Sequence, residues 1–224
     1  MKLAINSIYS ATEGEGIRVG TPQIFVRFQG CAIGCLNCDS KETWEFTDHG
    51  VEMASALKLI ERLKLKTVSI TGGDPLHPKI SPQVLALVKE LKAREYFVNI
   101  EASGMRVVDK IFDLVDFISF DFKTPSTGVR PSRVAFEVLY HQYGSKAQIK
   151  AVMADPRDFN AAVEWRSQFD CSIPWVLTPC LEAGNELDTE WVKKLQHLNE
   201  ALDAPMRVIL QQHKVVYSSE FGDF

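Results

Sequence analysis

Three of the chain's five cysteines lie in one short stretch, Gly30-Cys31-Ala-Ile-Gly-Cys35-Leu-Asn-Cys38-Asp39-Ser40. Thiolates bind metals or exchange electrons, and their spacing narrows the choice. A structural zinc site takes four protein ligands, usually from two separated pairs. Cys171 and Cys180 flank a later predicted strand, a poor second pair, which leaves His49 as the other candidate for a fourth ligand. A Cys-x-x-Cys redox site would use Cys35 and Cys38 and leave Cys31 idle. An iron–sulfur cube uses all three, because thiolates are its usual ligands and a cube has four iron corners. Three cysteines leave one iron open, and an open corner is a place for chemistry.

The elements that must position this cluster alternate along the chain. Short β-branched and aromatic runs predict strands over 23–28, 67–71, 97–102, 116–122, 148–153, 175–178 and 207–211. Apolar residues at helical spacing predict helices over 53–63, 82–93, 157–169 and 189–202. Such a β/α repeat implies an α/β fold with mostly parallel strands. A full eight-stranded barrel takes about 250 residues, so 224 residues fit an incomplete (β/α) barrel, with an open doubly wound sheet as the alternative. No linker or repeat divides the chain, so a single domain over 1–224 is expected. Polar and Gly-rich clusters follow the strands: the cysteines, Thr71-Gly-Gly-Asp-Pro75, Glu101-Ala-Ser-Gly104, Asp121-Phe-Lys-Thr-Pro-Ser126 and Gln211-Gln-His-Lys214. In parallel β/α folds the carboxyl ends of the strands form the active face, where these clusters would converge.

Composition excludes several classes. A hydrophobic content of 46% and 24% charge describe an ordinary globular chain with a sizeable core. The net charge of -4 leaves no basic footprint for a phosphate backbone, so a small-molecule or protein partner is expected and no direct nucleic-acid contact. The first residues lack a signal peptide's apolar segment, and no run approaches the roughly 18 apolar residues of a membrane helix. These features predict a cytoplasmic protein without a membrane partner, where clustered cysteines stay reduced and serve as ligands.

A CxxxCxxC loop after the first strand of a β/α barrel resembles the radical S-adenosylmethionine (SAM) superfamily. The resemblance implies a [4Fe-4S] cluster on Cys31, Cys35 and Cys38, whose fourth iron chelates SAM and whose electron cleaves it to a 5′-deoxyadenosyl radical. Thr71-Gly-Gly-Asp-Pro75 alone reads as a strand-to-helix turn. Beside the cysteines it resembles the superfamily's GGE motif, with Asp74 in place of Glu. The same resemblance places Asn37, Asp39, Gly73, Ser103, Asp121, Phe122, Lys123 and Thr178 near SAM. The acid and lysine of the Glu101 and Asp121-to-Lys123 segments could equally be surface ion pairs, which contribute little to stability.

Two further segments narrow the resemblance. The run Glu13-Gly-Glu-Gly16, then Gly20-Thr-Pro22, then Phe25-Val-Arg27-Phe-Gln-Gly30 into the cysteines is similar to the 7-carboxy-7-deazaguanine synthase family, and Leu210-Gln-Gln-His-Lys214 resembles that family's L-Q-T-H-K. This family converts 6-carboxy-5,6,7,8-tetrahydropterin to 7-carboxy-7-deazaguanine with loss of ammonia, in queuosine biosynthesis. By this resemblance Thr12, Glu13 and Gly14 meet the pterin edge, Arg27 faces the substrate carboxylate, Thr71 offers a hydroxyl, and Gln211 and His213 close the far side. Ser40 replaces the family's threonine at a magnesium contact; both supply a hydroxyl oxygen to a hard cation. A homodimer and an electron donor such as flavodoxin are also implied. Residues 215–224 extend beyond the family's usual end. The competing readings are a glycyl-radical-enzyme activase with the same cysteine spacing and a non-catalytic zinc module.

Overall fold

Each central strand carries two kinds of residue in alternation, and that alternation builds the architecture. In the computed structural model, which describes residues 1–170, 172–181 and 187–216, the strands are β1 (Lys2–Leu3), β2 (Ile5–Thr12), β3 (Pro22–Phe28), β4 (Val51–Glu52), β5 (Thr67–Gly72), β6 (Phe97–Ala102), β7 (Phe117–Asp121), β8 (Ala147–Met153), β9 (Trp175–Pro179) and β10 (Arg207–Val208). The helices are α1 (Met53–Arg62), α2 (Ser81–Ala93), α3 (Asp109–Phe112), α4 (Arg133–Val138), α5 (Pro156–Arg166), α6 (Thr189–Glu200) and α7 (Gln212–Val216).

Eight strands form one sheet in the order β10-β9-β8-β7-β6-β5-β3-β2. All neighbours from β3 to β10 pair in parallel; β2 joins antiparallel to β3. The order runs one way without reversing. A doubly wound sheet reverses at a switch point, so that alternative falls, and the edges β2 and β10 do not pair with each other, as an incomplete barrel requires. β1 and β4 make a separate antiparallel pair.

One face of the sheet is apolar and helix-covered: Val68, Ile70, Val98, Ile100, Ile118, Phe120 and Ile149 are fully buried in the core. Phe120 packs edge-on against Phe112 of α3 and Phe136 of α4. Burying such side chains contributes about 1.5–3 kcal/mol each. The helices fold for local reasons as well. α2 has Pro82 at its start and buries Val84, Leu87, Val88 and Leu91 at helical spacing. Asp155 and Asp188 cap α5 and α6 by accepting from Arg157 N and Trp191 N.

The sequence expectations place every parallel strand but shift some ends. The predicted strand over 207–211 pairs only at Arg207–Val208, and the predicted helix over 157–169 ends at Arg166. Asp74 and Pro75 start a turn, not a helix; α2 begins at Ser81. β2 lies outside the predicted strands. It belongs to the edge of the sheet and has no fully buried residue, so it lacks the strong apolar signal of a covered strand.

Candidate active site

The cysteine loop leaves β3 and is fixed by backbone bonds on both sides. Gly30 N and Cys31 N donate to Thr43 O and Trp44 O, Asp74 N donates to Gly30 O, and Leu36 N donates to Thr127 O. A Cβ on Gly73 would stand 2.6 Å from Gly30 O and 2.8 Å from Cys31 Cβ. Only glycine there lets the end of β5 lie against the first cysteine.

Cys31 Sγ accepts from Ile33 N at 3.5 Å, and Cys38 Sγ accepts from Ser40 N at 3.4 Å and from Trp44 Nε1 at 3.3 Å. N–H donors aimed at sulfur are among the contacts that tune a cluster thiolate. Burial raises the Cys31 and Cys35 thiols, while Lys123 opposes that rise at Cys35. Among the described residues, no three His, Cys, Asp or Glu converge on a single metal ion. A cube spreads its thiolates over separate corners, so this donor set fits a cluster.

The inner face of the sheet is polar. Asn99 Nδ2 donates to Ser69 Oγ at 2.8 Å, Ser119 Oγ to Asn99 Oδ1 at 3.4 Å, and Gln148 Nε2 to Ser119 Oγ at 2.8 Å, a ladder across four strands. One layer further toward the mouth, Lys150 Nζ lies 2.6 Å from Glu101 Oε2 and 2.9 Å from Glu15 Oε2. Gln211 Nε2 donates to Glu15 Oε1 at 2.7 Å. Burial works against the Lys150 ammonium, but Glu101 and then Glu15 hold it charged, well above a lysine's ordinary range. Burial alone would raise Glu15; Lys150 and the Gln211 hydrogen bond bring it down to about 2. Glu13, by contrast, is pushed up to about 7 by burial and then by Glu101. Two carboxyls two residues apart therefore hold their protons very differently: near neutral pH Glu15 is charged and Glu13 is in the middle of its titration.

The predicted residues fall into three groups. Arg27, Thr71, Ser40 and Cys38 gather around the mouth: Arg27 and Thr71 are register partners, Arg27 Nη1 donates to Ser40 Oγ at 2.9 Å, and its Nη2 donates to Tyr9 OH at 3.3 Å. Lys123 pairs with Asp121 at 2.9 Å near Cys35; Asp121 ends β7, and Phe122 and Lys123 directly follow it. Thr178 Oγ1 and Gln211 Oε1 are buried without a hydrogen-bond partner among the described residues. Unsatisfied buried oxygens cost about 1–3 kcal/mol each unless a ligand meets them, which fits the cofactor and substrate sides expected of them.

Other predicted side chains are already engaged. Ser103 Oγ donates to Asp74 Oδ1 at 3.3 Å, and the fully buried Asp74 also takes Arg106 at 2.9 Å and Leu76 N at 3.2 Å. Asp39 pairs with Lys214 at 2.9 Å. Glu13 accepts from Gln23 Nε2 at 2.7 Å and Glu15 N at 3.1 Å. Gly14 O accepts from Gln212 N at 2.9 Å, and a Cβ on Gly14 would collide with the His213 ring. Burial lowers the His213 imidazole's pKa. Thr12 ends β2 exposed, and Asn37 is half-buried in the cysteine loop. Residues 182–186, 217–224 and Cys171, including most of the C-terminal extension, lie outside the described residues.

The sequence reading missed Glu15 and Lys150 and left Glu101 between a surface ion pair and a contact near SAM. The available signal was Lys150 itself, the one charge in the strand 148–153, two residues after Gln148 and so turned by alternation to the same inner face.

Residues 12–112 match the family described as 4Fe-4S single cluster domain. The chain is similar to the 7-carboxy-7-deazaguanine synthase of Pyrobaculum aerophilum, 31% identical over 163 residues that cover 70% of this chain and 69% of the relative. It is 25% identical to the synthase of Thermoplasma acidophilum over 224 residues, covering 98% of this chain and all of that one (100%). Its fold matches the crystal structure of QueE from Escherichia coli with a TM-score of 0.73, at 24% identity over 95% of each chain.

Proposed function

We infer the division of labour within the site from one premise: the chain belongs to the 7-carboxy-7-deazaguanine synthase family and has that activity, a radical SAM reaction of queuosine biosynthesis. The substrate is a small molecule, taken here as 6-carboxy-5,6,7,8-tetrahydropterin. Cys31, Cys35 and Cys38 hold the [4Fe-4S] cluster. When bound, cluster and SAM supply the radical chemistry that starts the ring contraction. Lys123, Asp121, Phe122, Thr178, Asn37 and the backbone at Gly73, Ser103 and Asp39 line the SAM side.

The substrate side rests on Arg27. Its guanidinium is half-buried at the mouth, beside the cysteine loop, and its hydrogen bonds go to two neutral hydroxyls. A guanidinium fork matches a carboxylate in two parallel charge-assisted bonds, which hydroxyls do not replace. That single observation carries the reading that Arg27 takes the pterin carboxylate. Thr71 offers a hydroxyl next to it. Below, the charged Glu15 with Gln211, and Glu13, whose carboxyl is pushed up to about 7, present oxygens to the amide and amino edge of the pterin. Thr12, Gly14 and His213 complete that wall, and Lys150 keeps Glu15 and Glu101 in place.

Magnesium belongs to the same proposal. Ser40 offers the hydroxyl oxygen a hard cation takes, and it already accepts from Arg27, so metal and guanidinium would meet at one end of the substrate. A single domain, a homodimer, a flavodoxin-like electron donor and a cytoplasmic location complete the reading; among the described residues no helix is long and apolar enough to cross a membrane.

The test is Arg27→Ala in reconstituted enzyme. Losing a charge-assisted partner should raise KM for the carboxypterin at least about tenfold, with iron content and visible absorption unchanged. An unchanged KM refutes the role.

A further inference from the structure

The two edges of the incomplete barrel are joined by side chains and loops instead of strand pairing. Among the described residues three links cross the seam: Gln212 N to Gly14 O at 2.9 Å, Gln211 Nε2 to Glu15 Oε1 at 2.7 Å, and Lys214 Nζ to Asp39 Oδ2 at 2.9 Å. The third differs from the others because it ends on the cysteine loop. Lys214 is buried, 7% exposed, and among the described residues its ammonium meets one carboxylate, Asp39, and one carbonyl, Leu181 O at 3.2 Å. A buried ammonium is costly unless paired, so Asp39 is held where Lys214 needs it.

From Asp39 the bonds continue inward. Ser40 Oγ donates to Asp39 Oδ1 at 3.2 Å, which turns its lone pairs to Arg27, whose Nη1 donates to the same hydroxyl at 2.9 Å. We propose that Lys214 is a positioning residue: through Asp39 and Ser40 it sets the Arg27 guanidinium for the substrate carboxylate and so fixes specificity for a carboxylated pterin. The C-terminal helix thereby acts on the carboxylate end of the site without touching the substrate there. This rests on the reading that Arg27 binds that carboxylate. It also gives Asp39 a task distinct from contact with SAM.

The experiment measures equilibrium binding to the cluster-loaded enzyme, with SAM present, of two probes: 6-carboxytetrahydropterin and tetrahydropterin lacking the carboxylate. Iron content and the cluster's electron paramagnetic resonance spectrum are recorded for each variant. Lys214→Met and Asp39→Asn should each weaken the carboxylated probe by roughly tenfold, as loss of a charged hydrogen bond does. The plain probe and the cluster spectrum should not change, and Lys214→Arg should retain most of the preference. Should Lys214→Met fail to fold, the near-isosteric Asp39→Asn carries the test. Equal weakening of both probes, an altered cluster spectrum, or no change at all would each overturn the proposal. Arg27→Ala separates the two readings. If it keeps the preference for the carboxylated probe, the Arg27 reading fails; if it loses the preference while Lys214→Met keeps it, only the Lys214 proposal fails.

Discussion

The two faces of the same five strands, β5 to β9, behave as different materials. On the outer face Val68, Val98, Ile100, Ile118, Phe120 and Ile149 meet the helices with no polar atom to satisfy. On the inner face, one residue along each strand, Ser69, Asn99, Glu101, Ser119, Gln148 and Lys150 meet one another, while among the described residues Thr178 Oγ1 beside them and Oε1 of Gln211, which closes on Glu15, stay without a partner. An apolar core needs only shape and volume. A buried polar network needs every partner in place, and the oxygens it leaves open mark where a ligand completes it. The outer face therefore sets stability and the inner face sets chemistry, although both come from one backbone.

The largest effect falls at the mouth, which belongs to neither face. Cys31→Ala, Cys35→Ala or Cys38→Ala should abolish SAM cleavage and the cluster's visible absorption, while the circular dichroism spectrum of the apoprotein is unchanged.

A paired experiment then sets the faces against each other. Phe120→Ala opens a cavity among the rings of Phe112 and Phe136 and should cost about 3–5 kcal/mol of stability, seen as a lower Tm, with KM unchanged at temperatures where the variant is folded. Lys150→Met strands the Glu15 and Glu101 carboxylates and should cost a similar 3–5 kcal/mol, but here KM rises as well. Equal effects of the two substitutions on KM would break the distinction.

The smallest expected effect is the dependence of stability on pH carried by Glu13. Its carboxyl is pushed from an ordinary 4.5 up to about 7 in the folded chain. The folded state thus binds the proton more tightly than the unfolded state. The resulting stabilisation is fully present below about pH 4.5 and is lost as pH rises to about 7. Glu13→Gln, which keeps a neutral side chain there, should flatten the fall in Tm across that window. Glu15 acts in a separate window: its carboxyl, lowered to about 2, contributes stability above pH 4.5 that is lost on acidification through 2. A Tm profile of Glu13→Gln that matches the parent between pH 4.5 and 7 would show that Glu13 holds no such proton.

Much of this was legible in the sequence because covered parallel strands announce themselves. Runs such as those over 97–102 and 148–153 are apolar enough to identify, and the polar clusters after them mark the active end. The cysteine spacing, the Gly72–Gly73 pair and Arg27 were readable for the same reason: each sits at a strand end, where position follows from topology. What could not be read was what crosses the barrel. The Glu15–Lys150 pair joins residues on distant elements, and so does Asp39–Lys214, so neither leaves a periodic trace. Asp74 illustrates the limit. Its place in a superfamily motif, as Asp instead of Glu, left its side chain without an assigned task, and inside the fold that side chain is taken up by Arg106, Ser103 and Leu76 N.

The most direct test of the account supplies the reconstituted, strictly anaerobic protein with 6-carboxytetrahydropterin, SAM and a reductant, and follows ammonia together with 7-carboxy-7-deazaguanine. The account predicts one ammonia for each deazaguanine formed, with SAM recovered intact. SAM cleavage that requires an added glycyl-radical protein, or stoichiometric zinc and no turnover, would contradict it.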